Sequence, residues 1–282
     1  MRTIALSLLF ACFALDMQAQ AVAHIEKAKE NTLPAFYQQH PWRGKKVAYI
    51  GDSITDPNNK AAKNKYWNLL KEWLDIDYFV PAKSGRQWND GIRQERLLQE
   101  HWGQDFDAIL IFLGTNDFNH DIELGEWYTV KEEEVMRAVH GKQKQLEKVK
   151  HRLNNTDENT FRGRINVSMA QLKKDFPDKQ IILLTPIHRA GFFPNDKNWQ
   201  PEECWSNARG YFIDDYVQAI KEAGNVWAVP VIDMNSICGL YPLEDSNAQF
   251  FNNAATDRLH PNDAGHERMA KALAAQLAYF NN

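Results

Sequence analysis

From Lys45 onward, short apolar runs rich in β-branched residues alternate with longer amphipathic stretches. This alternation is typical of βαβ units, in which strands and helices follow one another along the chain. The predicted strands are Val47–Gly51, Ile76–Pro81, Ala108–Leu113, Gln180–Thr185 and Val226–Ile232. The predicted helices are Tyr66–Leu74, Asp90–His101, Ser168–Phe176, Asn207–Ala223 and Asp263–Phe280.

The first, third and fourth predicted strands are nearly continuous apolar runs, as expected of parallel strands that are covered by helices on both faces. The pattern therefore predicts an α/β fold, a three-layer α/β/α sandwich with a five-stranded parallel sheet of the flavodoxin-like kind. The sequence contains no internal repeat, no low-complexity linker and no shift in composition. Residues 22–282 are therefore predicted to form a single domain.

Two intervals, residues 119–163 and 191–206, do not follow the alternation. The first contains "VKEEEVMRAVHGKQKQLEKVKHRLNN", which we interpret as a charged, solvated helix. The second is rich in aromatic residues and turn formers. Intervals of this length inside a compact domain are usually functional, so we interpret both as insertions that shape a site.

The N-terminal stretch "MRTIALSLLFACFALDMQAQA" has the layout of a signal peptide, with an apolar run from Ile4 to Leu15 and small residues before a cleavage site near Gln20 or Ala21. Residues 1–21 are therefore predicted to direct secretion or export to the periplasm. The run is shorter than the roughly 20 residues of a membrane span, and no later segment approaches that length, so no transmembrane segment is predicted. An alternative is a lipid anchor on Cys12, within "LFAC".

Composition excludes some partners. The chain has 33 basic and 37 acidic residues, without the basic excess that binding to a phosphate backbone requires, so no nucleic-acid partner is predicted. Once the signal peptide is removed, Cys204 and Cys238 remain, either as one disulfide or as two unpaired, partly buried thiols. Neither has a Cys or His at metal-ligand spacing, so no metal site is predicted. The sequence does not indicate the oligomeric state.

Four polar stretches come where predicted strands end, which is where ligands bind in open parallel sheets. They are "GDSITD" with Ser53, "AKSGRQ" with Gly85, "GTNDF" with Asn116, and "DRLHPND" with Asp257 and His260, the last on a predicted loop. Taken singly, Asn116 fits a turn and His260 a buried loop histidine. Together, the four stretches are predicted to converge on one edge of the sheet.

Ser53 alone would fit a helix cap as well as a nucleophile. A serine hydroxyl needs a base within hydrogen-bond reach, for which His260 is the candidate, and Asp257 is placed to fix the tautomer of that histidine. Because only two residues separate Asp257 from His260, one loop can deliver both side chains. Asp52 and Asp56 are interpreted as acceptors that hold the loop around Ser53.

These stretches resemble the four sequence blocks of the SGNH (GDSL-type) hydrolase superfamily over residues 51–260. The resemblance implies a serine esterase in which Ser53, His260 and Asp257 are catalytic. It also implies an oxyanion hole formed by the backbone N–H groups of Ser53 and Gly85 and the side-chain amide of Asn116, with no metal or organic cofactor. The matching residues are Gly51-Asp52-Ser53, Gly85, Gly114-Thr115-Asn116-Asp117, and Asp257 with His260.

Four further residues are candidates for substrate contact. His188 and Arg189 follow the fourth predicted strand, where a positive charge would hold a polar or acidic substrate or would only tie loops together. Trp88 and Phe118 belong to a set of loop aromatics that would either pack in the core or form a sugar-stacking surface or an acyl pocket.

The sequence and this resemblance together predict an exported serine esterase that removes short acyl groups, above all acetyl, from carbohydrate. Its substrate would be a small-molecule or polysaccharide ester. A lysophospholipase or thioesterase of the same superfamily is the alternative, and a non-catalytic glycan-binding protein is the alternative from another class. The absence of G-x-S-x-G excludes the nucleophile elbow of α/β-hydrolases. Ala270 in "GHERMA" stands where a second zinc ligand would be needed, which excludes a zinc protease motif.

Overall fold

The structure, a computed structural model, describes residues 33–138, 140–141 and 143–280. The predicted signal peptide, its cleavage site and Cys12 lie outside these residues. The strands of the central sheet, numbered in chain order, are β1 (Lys46–Gly51), β2 (Asp77–Phe79), β3 (Ala108–Phe112), β6 (Gln180–Leu184) and β9 (Val231–Ile232). They are all parallel, in the order β2-β1-β3-β6-β9.

Helices cover both faces of this sheet. Successive residues of β1 point to opposite faces, so Val47 and Tyr49 join one core cluster while Ala48 and Ile50 join the other. The predicted three-layer α/β/α fold is therefore confirmed. The helices are α1 (Ala35–Gln38), α2 (Tyr66–Leu74), α3 (Gly91–Trp102), α4 (Thr115–Asn119), α5 (Phe161–Asp175), α6 (Ile213–Trp227), α7 (Met234–Ile237) and α8 (Asp263–Leu277). Within the described part of the chain, none of the helices combines the length and apolarity needed to cross a membrane.

Several predicted boundaries were wrong by a few residues. The last strand of the central sheet begins at Val231 and not at residue 226, because α6 continues through Trp227. That helix ends where Ala228 adopts a left-handed conformation and donates its N–H to the Gly224 carbonyl. Helix α5 begins well before the predicted Ser168, because the Thr160 hydroxyl caps it by accepting the N–H of Gly163.

The prediction of a charged helix in the 119–163 interval was wrong. The segment forms an antiparallel, largely exposed hairpin of β4 (Tyr128–Arg137) and β5 (Gln145–Asn154). Its charges pair across the strands, with Glu132 opposite Lys150 and Glu134 opposite Lys148. Opposite charges on facing strands stabilise a hairpin, and a sequence window cannot distinguish them from pairs on one helix face.

A second, antiparallel sheet lies beside the central one and was not predicted. It contains β7 (Phe192–Asn195), β8 (Asn198–Gln200), β10 (Phe251–Asn253) and β11 (Asp257–Pro261), in the order β10-β11-β7-β8. The 191–206 interval therefore begins as a hairpin. The predicted loop that carries Asp257 and His260 is instead a strand of this sheet.

The two described cysteines are not bonded to each other. Cys204 is exposed and Cys238 is buried, and both are free thiols. The disulfide alternative was therefore wrong, and only Cys238 is buried as expected for an unpaired thiol.

One pair of neighbouring carboxyls, of which only Glu95 is buried, lies away from the strand ends. Glu95 of α3 is 2 % exposed and is hydrogen-bonded to Asp175, the last residue of α5. Burial, reinforced by the neighbouring Asp175, raises the pKa of Glu95 from 4.5 to about 8. The same hydrogen bond lowers the pKa of Asp175. Glu95 therefore holds the proton that the two carboxyls share.

The raised pKa of Glu95 predicts a pH-dependent stability. Between pH 4.5 and about 8 the folded protein holds a proton that the unfolded chain releases, so its free energy of unfolding falls as the pH rises through this range and this contribution levels off above it. Glu95→Gln, whose amide can still donate to Asp175, should remove this component. Urea unfolding of both proteins from pH 5 to 9 measures it, and parallel stability curves for the two proteins would contradict the assignment.

Candidate active site

Ser53 lies in a tight turn directly after β1. The Asp52 carbonyl accepts the N–H groups of Thr55 at 3.1 Å and Asp56 at 2.8 Å, which closes the turn. The next helix, α2, begins only at Tyr66, so Ser53 does not cap it. The chain therefore presents the Ser53 hydroxyl at the carboxyl end of a central strand.

Gly51 is required at the entry to this turn. A Cβ at this position would lie 2.5 Å from the Thr55 Oγ1, closer than nonbonded atoms approach. The buried Gln94 side chain holds the Gly51 backbone with two hydrogen bonds. It accepts the Gly51 N–H at 2.8 Å and donates to the Gly51 carbonyl at 2.9 Å. Close packing and these two hydrogen bonds together hold the base of the turn.

Ser53, His260 and Asp257 form a continuous chain of contacts. The Ser53 Oγ lies 2.9 Å from the His260 Nε2, and the His260 Nδ1 lies 3.0 and 3.1 Å from the two carboxylate oxygens of Asp257. Asp257 also accepts the Asn252 side-chain amide at 2.8 Å and the His260 backbone N–H at 3.0 Å. Burial opposes ionisation of Asp257, but these donors, led by His260, lower its pKa overall. The geometry is that of a serine hydroxyl placed against a base whose tautomer a carboxylate orients.

The second sheet positions the histidine. Strand β11 carries Asp257 and His260 and pairs with β7, where Asp257 lies opposite Phe192. The Phe192 ring meets the His260 ring edge to face, with 4.8 Å between the ring centres. The sequence placed Phe192 in an aromatic-rich interval, but nothing in the sequence indicated this contact with the histidine.

Asn116 and Gly85, the predicted oxyanion donors, lie on chain segments that meet beside the Ser53 turn. The Asn116 Nδ2 donates to the Arg86 carbonyl at 3.0 Å and more weakly to the Asp52 carboxylate at 3.3 Å. Gly85 adopts a left-handed φ of 79°, and no atom lies within 4 Å of the position a Cβ would take. A ligand can therefore approach the Gly85 backbone closely, and an oxyanion at Asn116 would replace its longer contact to Asp52.

Asp56 connects the Ser53 turn to the loop that carries Gly85. Its Oδ2 accepts both the N–H of Ser84 at 2.8 Å and the Ser84 hydroxyl at 2.7 Å, and its Oδ1 accepts the Asn58 N–H at 2.8 Å. Burial alone would raise the pKa of Asp56, but the hydrogen bonds from Asn58 and Ser84 lower it. The sequence indicated that Asp56 holds its own loop, but not that it reaches the next one.

Asp52, the other predicted loop acceptor, is buried beside the serine. Its Oδ1 accepts the N–H of Ile54 at 3.1 Å, and its Oδ2 is the partner of Asn116. Burial raises the pKa of Asp52 to about 7, against the opposing effects of the Ile54 N–H and of His260. Asp52 thus links the turn after β1 to the helix after β3.

Trp88 does not contact the site surface. Its side chain is fully buried in the core, so of the two alternatives for this ring the structure favours packing in the core. Its backbone N–H donates to the buried Asp117 at 3.1 Å, and Asp117 in turn pairs with Arg164 at 2.9 Å. The sequence suggested Asp117 only as part of a turn block, whereas the structure makes it the centre of a buried ion pair.

Arg189 and Phe118 lie together behind the site. Arg189 is 1 % exposed, and its guanidinium bonds with the Asn119 side chain and with the Pro201 carbonyl. It also lies over the Phe118 ring, 5.7 Å from the ring centre. Burial lowers the pKa of Arg189 to about 10. The structure therefore favours the alternative in which Arg189 ties loops together.

His188 is partly exposed and paired with a buried carboxylate. Its Nδ1 lies 2.6 Å from Glu203, which also accepts the Arg189 backbone N–H at 2.8 Å. The hydrogen bond to Glu203 raises the pKa of His188. This pair lies beside a cavity of about 560 Å³. No group of three His, Cys, Asp or Glu side chains in the described ranges is arranged to hold a metal ion.

The parallel sheet, with a serine turn after its first strand and a histidine on its flank, defines an α/β/α hydrolase. The sequence model of the GDSL-like lipase/acylhydrolase family matches residues 49–268. The chain therefore belongs to this family of hydrolases, as the four sequence blocks indicated. A search of curated proteins found no match.

Solved structures share the fold at low sequence identity. A protein from Lactobacillus plantarum is 23% identical, with a TM-score of 0.64 over 84% of this chain and 98% of its own. A possible lipase from Chitinophaga pinensis is 20% identical, with a TM-score of 0.61 over 84% and 98%. The acetyl xylan esterase AlAXEase is 20% identical, with a TM-score of 0.52 over 82% and 99%. These similarities support the fold.

The Asp56 contacts predict that this residue positions Gly85 for catalysis. In Asp56→Asn one acceptor oxygen becomes an NH2 group, which faces the N–H of Ser84 or, after a flip of the amide, that of Asn58. Either way one of the contacts that hold the two loops is lost, so kcat for a short activated ester should fall. We expect about a tenfold loss, less than the roughly 10²–10³ typical for complete loss of an oxyanion donor. Ser84→Ala, which loses only the hydroxyl bond, should lose less. A folded Asp56→Asn enzyme with wild-type kcat would refute the coupling.

Proposed function

We propose that this protein is an exported serine esterase that removes short acyl groups, chiefly acetyl, from carbohydrate esters. The observation that carries the proposal is the 2.9 Å contact between the Ser53 Oγ and the His260 Nε2. Asp257 supports it by bonding to the other nitrogen of the same ring. The family supplies the hydrolase class, and the residue roles and the substrate are our proposal.

In the first half of the reaction, Ser53 attacks the ester carbonyl carbon while its proton passes to the His260 Nε2. The carbonyl oxygen becomes an oxyanion, which the N–H groups of Ser53 and Gly85 and the amide of Asn116 stabilise. The intermediate then expels the alcohol, which takes the proton from His260. An acyl-serine remains, and the ionised Asp257 stabilises the transient imidazolium.

In the second half, a water molecule attacks the acyl carbon and gives a proton to His260. A second oxyanion forms in the same place and collapses, and the Ser53 oxygen takes the proton back from His260. The products are the free carboxylic acid and the regenerated enzyme. The reaction is hydrolytic and needs no redox partner.

The preference for an acetylated carbohydrate rests on three features. The N-terminal pattern favours export, which places the enzyme with extracellular glycans. Two tryptophans in this part of the chain are exposed. Trp199 lies within the β7–β8 hairpin, and Trp205 lies in the segment that follows it. One protein with the same fold is an acetyl xylan esterase, so this fold accommodates that chemistry.

Replacement of the nucleophile or base tests the reaction class. Ser53→Ala and His260→Ala should each reduce kcat for 4-nitrophenyl acetate by several orders of magnitude, about 10³–10⁶, because each removes a member of one catalytic unit. Ser236→Ala, which changes a serine of the short α7, is the matched control and should retain full activity. Near-normal turnover by either the Ser53 or the His260 variant would overturn the assignment.

A substrate panel tests the leaving group. The wild-type enzyme should release acetate from acetylated xylan or acetylated pectin fragments with higher kcat/KM than it releases fatty acid from a lysophospholipid. Acid release measured by titration at constant pH compares the three directly. A preference for the lysophospholipid would replace carbohydrate with lipid as the substrate class.

A further inference from the structure

Two exposed tryptophans line two adjoining cavities. Trp199 is 66 % exposed and Trp205 is 64 % exposed, although indole rings are usually largely buried. Both contribute to a cavity of about 530 Å³ and to a second one of about 220 Å³, and Pro201 lies between them in both linings. Trp199 is braced by the Phe193 ring, whose centre is 4.2 Å away. Trp199 therefore offers a supported face to a ligand, and Trp205 adds a second exposed indole.

The smaller cavity also contains unused hydrogen-bonding groups. Asn119 and Gln200 line it, and the Asn119 Nδ2 and the Gln200 Oε1 are buried without a hydrogen-bond partner. The orientation of the Asn119 amide is settled because Arg189, which can only donate, contacts the Asn119 oxygen. One residue thus offers a free donor and the other a free acceptor.

Both atoms are covered in this structure, so the two side chains would have to turn toward a ligand to reach it. A hydroxyl group that met them could then accept from Asn119 and donate to Gln200, because it combines both capacities. An unpartnered buried polar group is costly in free energy, so a ligand that satisfies it gains affinity. An acyl chain would leave both groups unpartnered. The chemistry of the cavity therefore favours a polyhydroxylated ring with an apolar face over a lipid tail.

The cavity is connected to the catalytic residues through two elements of the fold. Its wall includes Asn119, the last residue of α4, and the same short helix begins at Thr115 beside the oxyanion donor Asn116. Trp199 lies on β8, which pairs with β7, and β7 pairs with β11 beside His260. A ligand in the cavity therefore contacts the helix that carries Asn116 and a strand that is separated by β7 from the one that carries His260.

We propose that Trp199, Trp205, Asn119 and Gln200 form a saccharide subsite that binds one sugar ring of the ester substrate. The inference rests on the proposed esterase function and specifies the substrate that function would use. The small cavity, about 220 Å³, is below the roughly 300–1,000 Å³ of drug-sized pockets, which suits a single ring. The larger adjoining cavity extends the same surface toward a neighbouring ring of an oligosaccharide.

Hydrolysis of two esters tests the subsite. We expect the ratio of kcat/KM for an acetylated xylo-oligosaccharide to that for 4-nitrophenyl acetate to fall about tenfold in Trp199→Ala and in Trp205→Ala, which corresponds to a loss of about 1.4 kcal/mol of aromatic stacking. Trp199→Phe should recover part of the loss because it retains a ring. Tyr279→Ala, an exposed aromatic on the C-terminal segment, is the control and should leave the ratio unchanged. Equal losses on both esters would refute the subsite.

Binding without reaction separates the subsite from the esterase. The Ser53→Ala protein, titrated with xylohexaose, cellohexaose and galacturonan oligomers, should show a change in tryptophan fluorescence with at least one of them, and both tryptophan-to-alanine changes should abolish it. Binding by a wild-type protein that hydrolyses no ester would support the subsite and refute the esterase. Ester hydrolysis without binding of any of these saccharides would refute the subsite alone.

Discussion

The in-register parallel pairing of the central strands is the constraint on which the site depends. Gly51 lies opposite Phe112 on β3, and Phe112 lies opposite Leu184 on β6. Because the three strands run in the same direction, the chain leaves the sheet at the same level after each of them. The turn that carries Ser53 and the helix that carries Asn116 therefore become neighbours, although many residues separate them in the sequence. Displacement of one strand along another would separate the two side chains.

Buried carboxylates then link these neighbouring turns. Asp52 bridges the turn after β1 to Asn116 after β3, and Asp56 bridges the same turn to Ser84. Hydrogen bonds of this kind are stronger inside the protein than in water, but they require every partner to be present. These hydrogen bonds thus join the serine turn, the Gly85 loop and the start of α4. Substitution of Asp52 or Asp56, away from the reacting atoms, would therefore alter the positions of the proposed oxyanion donors Gly85 and Asn116.

The sequence predicted most of the central sheet because its information there is local. Nearly continuous apolar runs such as Ala108–Leu113 mark strands that are covered on both faces, and amphipathic stretches such as Tyr66–Leu74 mark the helices, in this case with the bounds that the structure has. The charged hairpin was predicted wrongly because its Glu and Lys residues also favour helices. Only cross-strand pairing, such as Glu132 with Lys150, decides between the two.

The sequence by itself determined which chemical groups are available to the site and their order along the chain. Ser53, Asn116, Asp257 and His260 belong to the four sequence blocks, which lie at or after the ends of predicted strands. The tertiary structure decided which aromatic residues reach the surface: Trp88 is buried, whereas Trp199 and Trp205 are exposed and line cavities. The reason is physical. The spacing of hydrophobic residues indicates which face of a helix or strand is buried. The exposure of an aromatic residue in a loop depends instead on the segments, distant in sequence, that pack around it.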